Sequence, residues 1–228
     1  VNELIINGPP EPPPGYEEER RAVVFPEGGL PLGVKILNVP AYKWVYGCSA
    51  VASAMIAAYY DINGYPNIYT GPTNNGVMPV DDSVWGTWTD GGGKEYPLNP
   101  LVASKNGLDG RTSRGSIDDY WIEYNNFWPD PFIGAWTEHS YGDSVGDYLR
   151  TSQFLFSMPD GSTYFRTAPL PLSCDMSSLL GEDGTVGLRN FYSARGYTVT
   201  SCYAQLTDNK IWGGFTFDQY KAEIDAGR

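Results

Sequence analysis

One cysteine of this chain stands where a thiol becomes a nucleophile. Residues 46–56 read Tyr-Gly-Cys-Ser-Ala-Val-Ala-Ser-Ala-Met-Ile, a glycine turn followed by a small-residue, apolar helix that Cys48 opens. A thiol there meets the positive end of the helix dipole, which stabilises the thiolate. Such a group attacks carbonyl carbon and forms a thioester acyl-enzyme. The partner chemistry is much scarcer. His139 is the only histidine, and it lies in the polar turn Trp136-Thr137-Glu138-His139-Ser140-Tyr141, without strand character. Such a histidine reads as a structural hydrogen-bonding group rather than as a general base.

Several other chemistries lack their residues. One histidine and three scattered cysteines give no zinc spacing. Asp61-Ile62-Asn63-Gly64 has the start of a calcium loop but not the remaining ligands or the closing glutamate. No metal or other cofactor is therefore expected. The formal charge is −12, from 15 basic and 27 acidic residues, and no basic stripe is visible. Nucleic acid and anionic membrane surfaces are thus poor partners. No apolar run is long enough to span a bilayer.

Three cysteines leave one unpaired if a disulfide forms. The preferred arrangement keeps Cys48 free and pairs Cys174 with Cys202, closing a loop of roughly 30 residues and contributing ~3 kcal/mol. Two ordinary buried thiols are the alternative.

The elements that must position Cys48 follow from pattern. The 228 residues carry 41 % hydrophobic and 14 % aromatic side chains with 27 Gly and 18 Pro, which indicates a loop-rich globular protein. Residues 1–22, with a polyproline stretch and a charge run, read as an extended arm or linker. A short strand is expected over 34–39. The helix runs over 48–60, with Val51, Met55 and Tyr59 as its apolar line and Ala52, Ile56 and Ala58 widening it. The region 65–115 is dominated by turn chemistry and reads as a loop-rich insertion with short strands. Helices are expected over 116–125, 143–151 and 187–195, and a hairpin over 153–167 around Pro159-Asp160-Gly161. A strand is expected over 197–206. A last helix spans 216–226, with Thr216 as N-cap, Gly227 at its end and Phe217, Tyr220 and Ile224 as its apolar stripe.

The stretch from Val39 to Asp61 resembles the start of a papain-like cysteine peptidase domain. It is most similar to bacterial relatives of the double-glycine (bacteriocin-processing) peptidases, in which a G-C-x-x-x-A-x-A-M helix carries the nucleophile. Looser matches are N-G-Y at 63–65, T-G-P-T-N-x-G-V-M-P at 70–79, I-D-D-Y at 117–120 and G-D-Y-L-x-T-S at 146–152. The resemblance implies an α+β papain-like fold over residues 23–228, with the cysteine helix packed on an antiparallel β half. It implies peptide-bond hydrolysis with Cys48 as nucleophile, and a secreted or cell-surface bacterial protein acting on a peptide or protein substrate.

Two departures from that pattern matter. The family places an oxyanion-binding glutamine about six residues before the cysteine, and Tyr42 stands there with Lys43 beside it. The Tyr42 hydroxyl is the oxyanion candidate, next to the backbone N–H of Cys48. In the family the general-base histidine follows a helix of the type F-x-x-Y-K-x-E-I-D-A-G-R. Residues 217–228 supply that helix, so the histidine and its orienting Asp or Asn are expected beyond Arg228. The fragment alone is then expected to be nearly inactive, with its β half incomplete and the C-terminal remainder of the polypeptide as a partner. Two other readings fit the same residues. One is a non-catalytic extracellular module that binds carbohydrate or peptide through the aromatics between 84 and 136. The other is a different thiol acyl-transfer enzyme, transglutaminase-like or an amidase.

Overall fold

The computed structural model describes residues 2–6, 39–45, 47–69, 73–89, 95–102, 144–151 and 162–227, with positions 18, 93 and 158. The expected helix over 116–125, the first arm of the 153–167 hairpin, most of the 34–39 strand and His139 lie outside the described residues.

The architecture is α+β. The strands are β1 (Asn2–Ile6), β2 (Thr87–Thr89), β3 (Glu95–Pro97), β4 (Thr163–Thr167), β5 (Leu172–Ser173) and β6 (Tyr203–Ala204). The helices are α1 (Cys48–Ile62), α2 (Val145–Leu149), α3 (Cys174–Leu179), α4 (Gly184–Ala194) and α5 (Phe217–Asp225). Three antiparallel pairs form among the strands, β1 with β4, β2 with β3 and β5 with β6. The N-terminal residues read as an arm thus include a docked strand, with Leu4 opposite Phe165. In the other direction, most of 197–206 does not pair, and only Tyr203–Ala204 forms a ladder.

Helix α1 starts after Gly47, whose φ of 151° suits glycine, and stops at Gly64, whose φ is +98°. Its buried face is only in part the expected one, since Val51 and Ala58 are on it. Ala50, Val51, Ala54, Ala57, Ala58 and Asp61 are buried, whereas Ile56 is 51 % exposed and Met55 and Tyr59 are half-buried. The small side chains sit inward because α2 packs closely against α1. Large side chains on that stripe would hold the backbones apart.

Each later helix has a residue that satisfies its first amides. Ser144 accepts from the Asp147 amide and Ser173 from that of Met176. Asp183 accepts from Val186 at 3.0 Å and also from the Arg166 amide at 2.8 Å, which ties α4 to β4. Thr216 and Gln219 form the expected capping box on α5. The buried Arg166 guanidinium donates to the carbonyls of Ser177, Leu180 and Gly181, closing the C-terminal end of α3. A cation there complements the negative end of the helix dipole.

The core gathers the inner face of α1 with Tyr42, Val45, Ile68, Tyr69, Met78, Leu101, Val102, Val145, Leu149 and Phe191. The 65–102 part of the expected insertion is therefore built into the core. Turn residues dominate its sequence, but Ile68, Tyr69, Met78, Leu101 and Val102 are buried, whereas Tyr65, Val77, Val80 and Val84 are exposed. Gly187 lets α4 approach α2, since a Cβ there would lie 2.1 Å from the Tyr148 carbonyl oxygen.

Candidate active site

Cys48 is the first residue of α1 and the only free cysteine, and its side chain is partly exposed. At 100° per residue, Cys48 lies roughly 120° around the helix from the centre of the buried stripe. It shares that flank with exposed Ala52 and half-buried Met55 and Tyr59. The sulfur is thus at the rim of the core, not sealed within it.

The first turn of α1 is open. Gly47 has no side chain to cap it, and the first intrahelical bond runs from the Val51 amide to the Gly47 carbonyl at 3.1 Å. The amides of Cys48, Ser49 and Ala50 precede that bond and have no acceptor among the described residues. Such amides point out of the helix start, where they can donate to an anion or a carbonyl oxygen.

The segment leading into Cys48 is fixed by the 79–82 turn. The Ala41 amide donates to the Val80 carbonyl at 3.0 Å, and the Lys43 amide donates to Asp82 Oδ2 at 2.5 Å. Asn99, fully buried, donates to Asp82 Oδ1 at 2.8 Å and accepts the amides of Leu101 and Val102. Burial pushes the Asp82 carboxyl above its ordinary value, against the lowering effect of the Lys43 and Asn99 donors.

The Tyr42 hydroxyl is held by a backbone carbonyl. Tyr42 is buried, its hydroxyl donates to the Pro79 carbonyl at 2.7 Å, and its amide meets Met55 Sδ at 3.5 Å. Its one proton is engaged, and burial together with Asp82 and Asp61 raises its ionisation far above the ordinary phenol value. The position that carries glutamine in papain-like enzymes here braces the approach to Cys48.

The calcium-like D-x-N-G has a structural use. Asp61 accepts the amides of Tyr69 at 3.0 Å and Met78 at 2.8 Å. Among the described residues, no group of three or more His, Cys, Asp or Glu is placed to hold a metal. No helix among them is long and apolar enough to cross a membrane. Cys174 and Cys202 form a disulfide, the pairing preferred over two buried thiols. Asp82 and Asn99 are structural polar groups that residue patterns do not single out, and Asp61, noted for a calcium-like pattern, is a third. Only the inward spacing of Asp61 on the alanine stripe offered a signal.

The chain matches no protein-family model, no curated protein and no solved structure.

Proposed function

We propose that this chain carries the nucleophile half of a cysteine peptidase site, with Cys48 attacking a peptide carbonyl. The reading rests on one observation, a partly exposed cysteine on the first residue of an uncapped helix whose leading amides have no acceptor among the described residues. The resemblance of residues 39–61 to papain-like bacterial peptidases agrees with it. In the proposed step, the Cys48 sulfur bonds to the substrate carbonyl carbon and the Cys48 amide N–H binds the oxyanion. The C–N bond then breaks, and the amine leaves with a proton supplied by the general acid. Water finally cleaves the thioester and restores the thiol.

The reading requires a general base, which papain-like enzymes supply as a histidine. On this reading the finer fold is papain-like, and the chain works on peptide or protein substrates outside the cell. The Cys174–Cys202 disulfide supports the last point, because such bonds persist in oxidising compartments.

An acylation assay tests the nucleophile without needing the base. p-Nitrophenyl acetate brings its own good leaving group, so the thiolate alone can form the acetyl thioester. Mass spectrometry is expected to find one acetyl group on Cys48, formed in a burst of nitrophenolate, and neither in Cys48→Ala. A burst that survives in Cys48→Ala, or acetylation no faster than that of a free thiol, would contradict the proposal.

A further inference from the structure

The β5–β6 ladder ends abruptly on one strand only. Leu172 lies opposite Ala204 and Ser173 opposite Tyr203. The next pair is Cys174 and Cys202, joined by the disulfide and by the Cys174 amide donating to the Cys202 carbonyl at 3.0 Å. There one chain turns into α3. The other runs through Thr198–Ser201 without regular secondary structure, and among the described residues none of its backbone N–H or C=O groups has a partner. Side-chain exposure over Tyr197–Thr200 alternates between half-buried and exposed, the period of a strand. The residues are β-branched or small and polar, suited to a ladder that they do not make.

This segment borders a cavity of about 570 Å³. Leu188 and Tyr192, on one face of α4, form the opposite wall, and Val199, Thr200 and Tyr203 form the near wall. Tyr197, which leads into this segment, lies 6.0 Å from the Tyr65 ring, and Tyr65 meets the Tyr60 ring near the last turn of α1 at 5.4 Å. Cys48 opens the same helix, roughly 18 Å away along its axis. The groove and the thiol therefore stand at opposite ends of α1.

We propose that Thr198–Ser201 is a docking edge that receives an extended peptide as an added strand, with that peptide's apolar side chains entering the cavity between Leu188, Tyr192 and Val199. An unpaired row of backbone donors and acceptors recognises another extended backbone, and the adjoining cavity reads alternate side chains. The chain's formal charge of −12 favours a peptide with basic flanks. The edge continues an existing ladder, so the added strand would extend β6 in place of the strand that left as α3. The site stands apart from the chemistry proposed at Cys48, as a place where a peptide is held rather than cut.

The test uses the Cys48→Ala chain, so that no probe is cleaved. The probe is a terminally blocked, fluorescein-labelled Lys-Thr-Val-Thr-Val-Thr-Lys peptide. Saturable binding is expected, with slowed amide exchange at alternate residues of Thr198–Ser201. Antiparallel ladders use backbone groups of every second residue. N-methylating alternate residues of the peptide should therefore weaken binding about tenfold in one phase and leave it unchanged in the other. Val199→Lys should also weaken binding with no change in the thermal midpoint. No saturable binding, equal loss in both phases, or unaltered exchange at Thr198–Ser201 would overturn the proposal. Concentration-dependent self-association that protects the same amides without peptide would assign the edge to a second copy and overturn it too.

Discussion

The carboxylate of Asp61 accepts the Met78 amide hydrogen across 2.8 Å, and this bond anchors the 65–79 region to the last turn of the cysteine helix. The other oxygen takes the Tyr69 amide, and Asp61 itself is only 6 % exposed. Asp61→Ala would leave two buried amides without acceptors and is expected to cost about 3 kcal/mol of unfolding free energy. Chemical denaturation measures it. Millimolar calcium should leave the midpoint of the parent protein unmoved, because both carboxylate oxygens already hold amides. A calcium-dependent rise would return Asp61 to a ligand role.

Tyr42→Phe separates bracing from catalysis. The buried Pro79 carbonyl would lose its donor, at a cost of about 1–2 kcal/mol. The alkylation rate of Cys48 should stay within about twofold of the parent. A pH signature follows as well. The folded state holds the Tyr42 proton above the ordinary value of 10.0, while the unfolded chain releases it there. Stability from this group is therefore whole below pH 10.0 and is lost as the pH rises beyond it. Tyr42→Phe should flatten the alkaline limb of the stability profile.

Gly187→Ala probes the closeness of α2 and α4. In an open helix this change stabilises by about 0.5–1 kcal/mol. Here the new Cβ would lie 2.1 Å from the Tyr148 oxygen and 2.8 Å from its carbonyl carbon. Backbone cannot yield as a side chain can, so the sign reverses. A loss of about 3 kcal/mol is expected by thermal or urea unfolding.

Replacing Cys174 and Cys202 together by serine tests the cross-link. The disulfide spans 28 residues, and its removal should cost about 3 kcal/mol through the freed unfolded chain. Nitrophenyl acetate should still acylate Cys48 in that variant. Loss of the burst would tie the cross-link to the geometry at Cys48.

Local chemistry made some elements legible in the sequence. The helix at Cys48 and the capped start at Thr216 rest on side chains within a turn of one another, and both are present. The strand expected over 197–206 had the right residues, but pairing depends on a neighbour. That neighbour becomes α3 at Cys174, so only two residues pair. Asn2–Ile6 was unreadable for the converse reason, because its partner β4 lies far along the chain. The inward face of α1 was legible only at Val51 and Ala58, because hydrophobicity favours Met55, Ile56 and Tyr59, whereas close helix packing favours alanine. At the site, the thiol was legible from glycine and helix start. The hydroxyl of Tyr42 was not, since its partner Pro79 is set by tertiary folding. On α5, Phe217 is 68 % and Tyr220 52 % exposed, so the expected apolar stripe exists but faces away from the described core.

The most direct measurement is the rate of iodoacetamide alkylation at Cys48 between about pH 6 and 7, followed by intact mass and set against a model thiol. The account predicts that Cys48 reacts at least about tenfold faster, because it opens an uncapped helix at the rim of the core. A rate equal to or below that of the model thiol would contradict it and leave Cys48 an ordinary residue at the edge of the core.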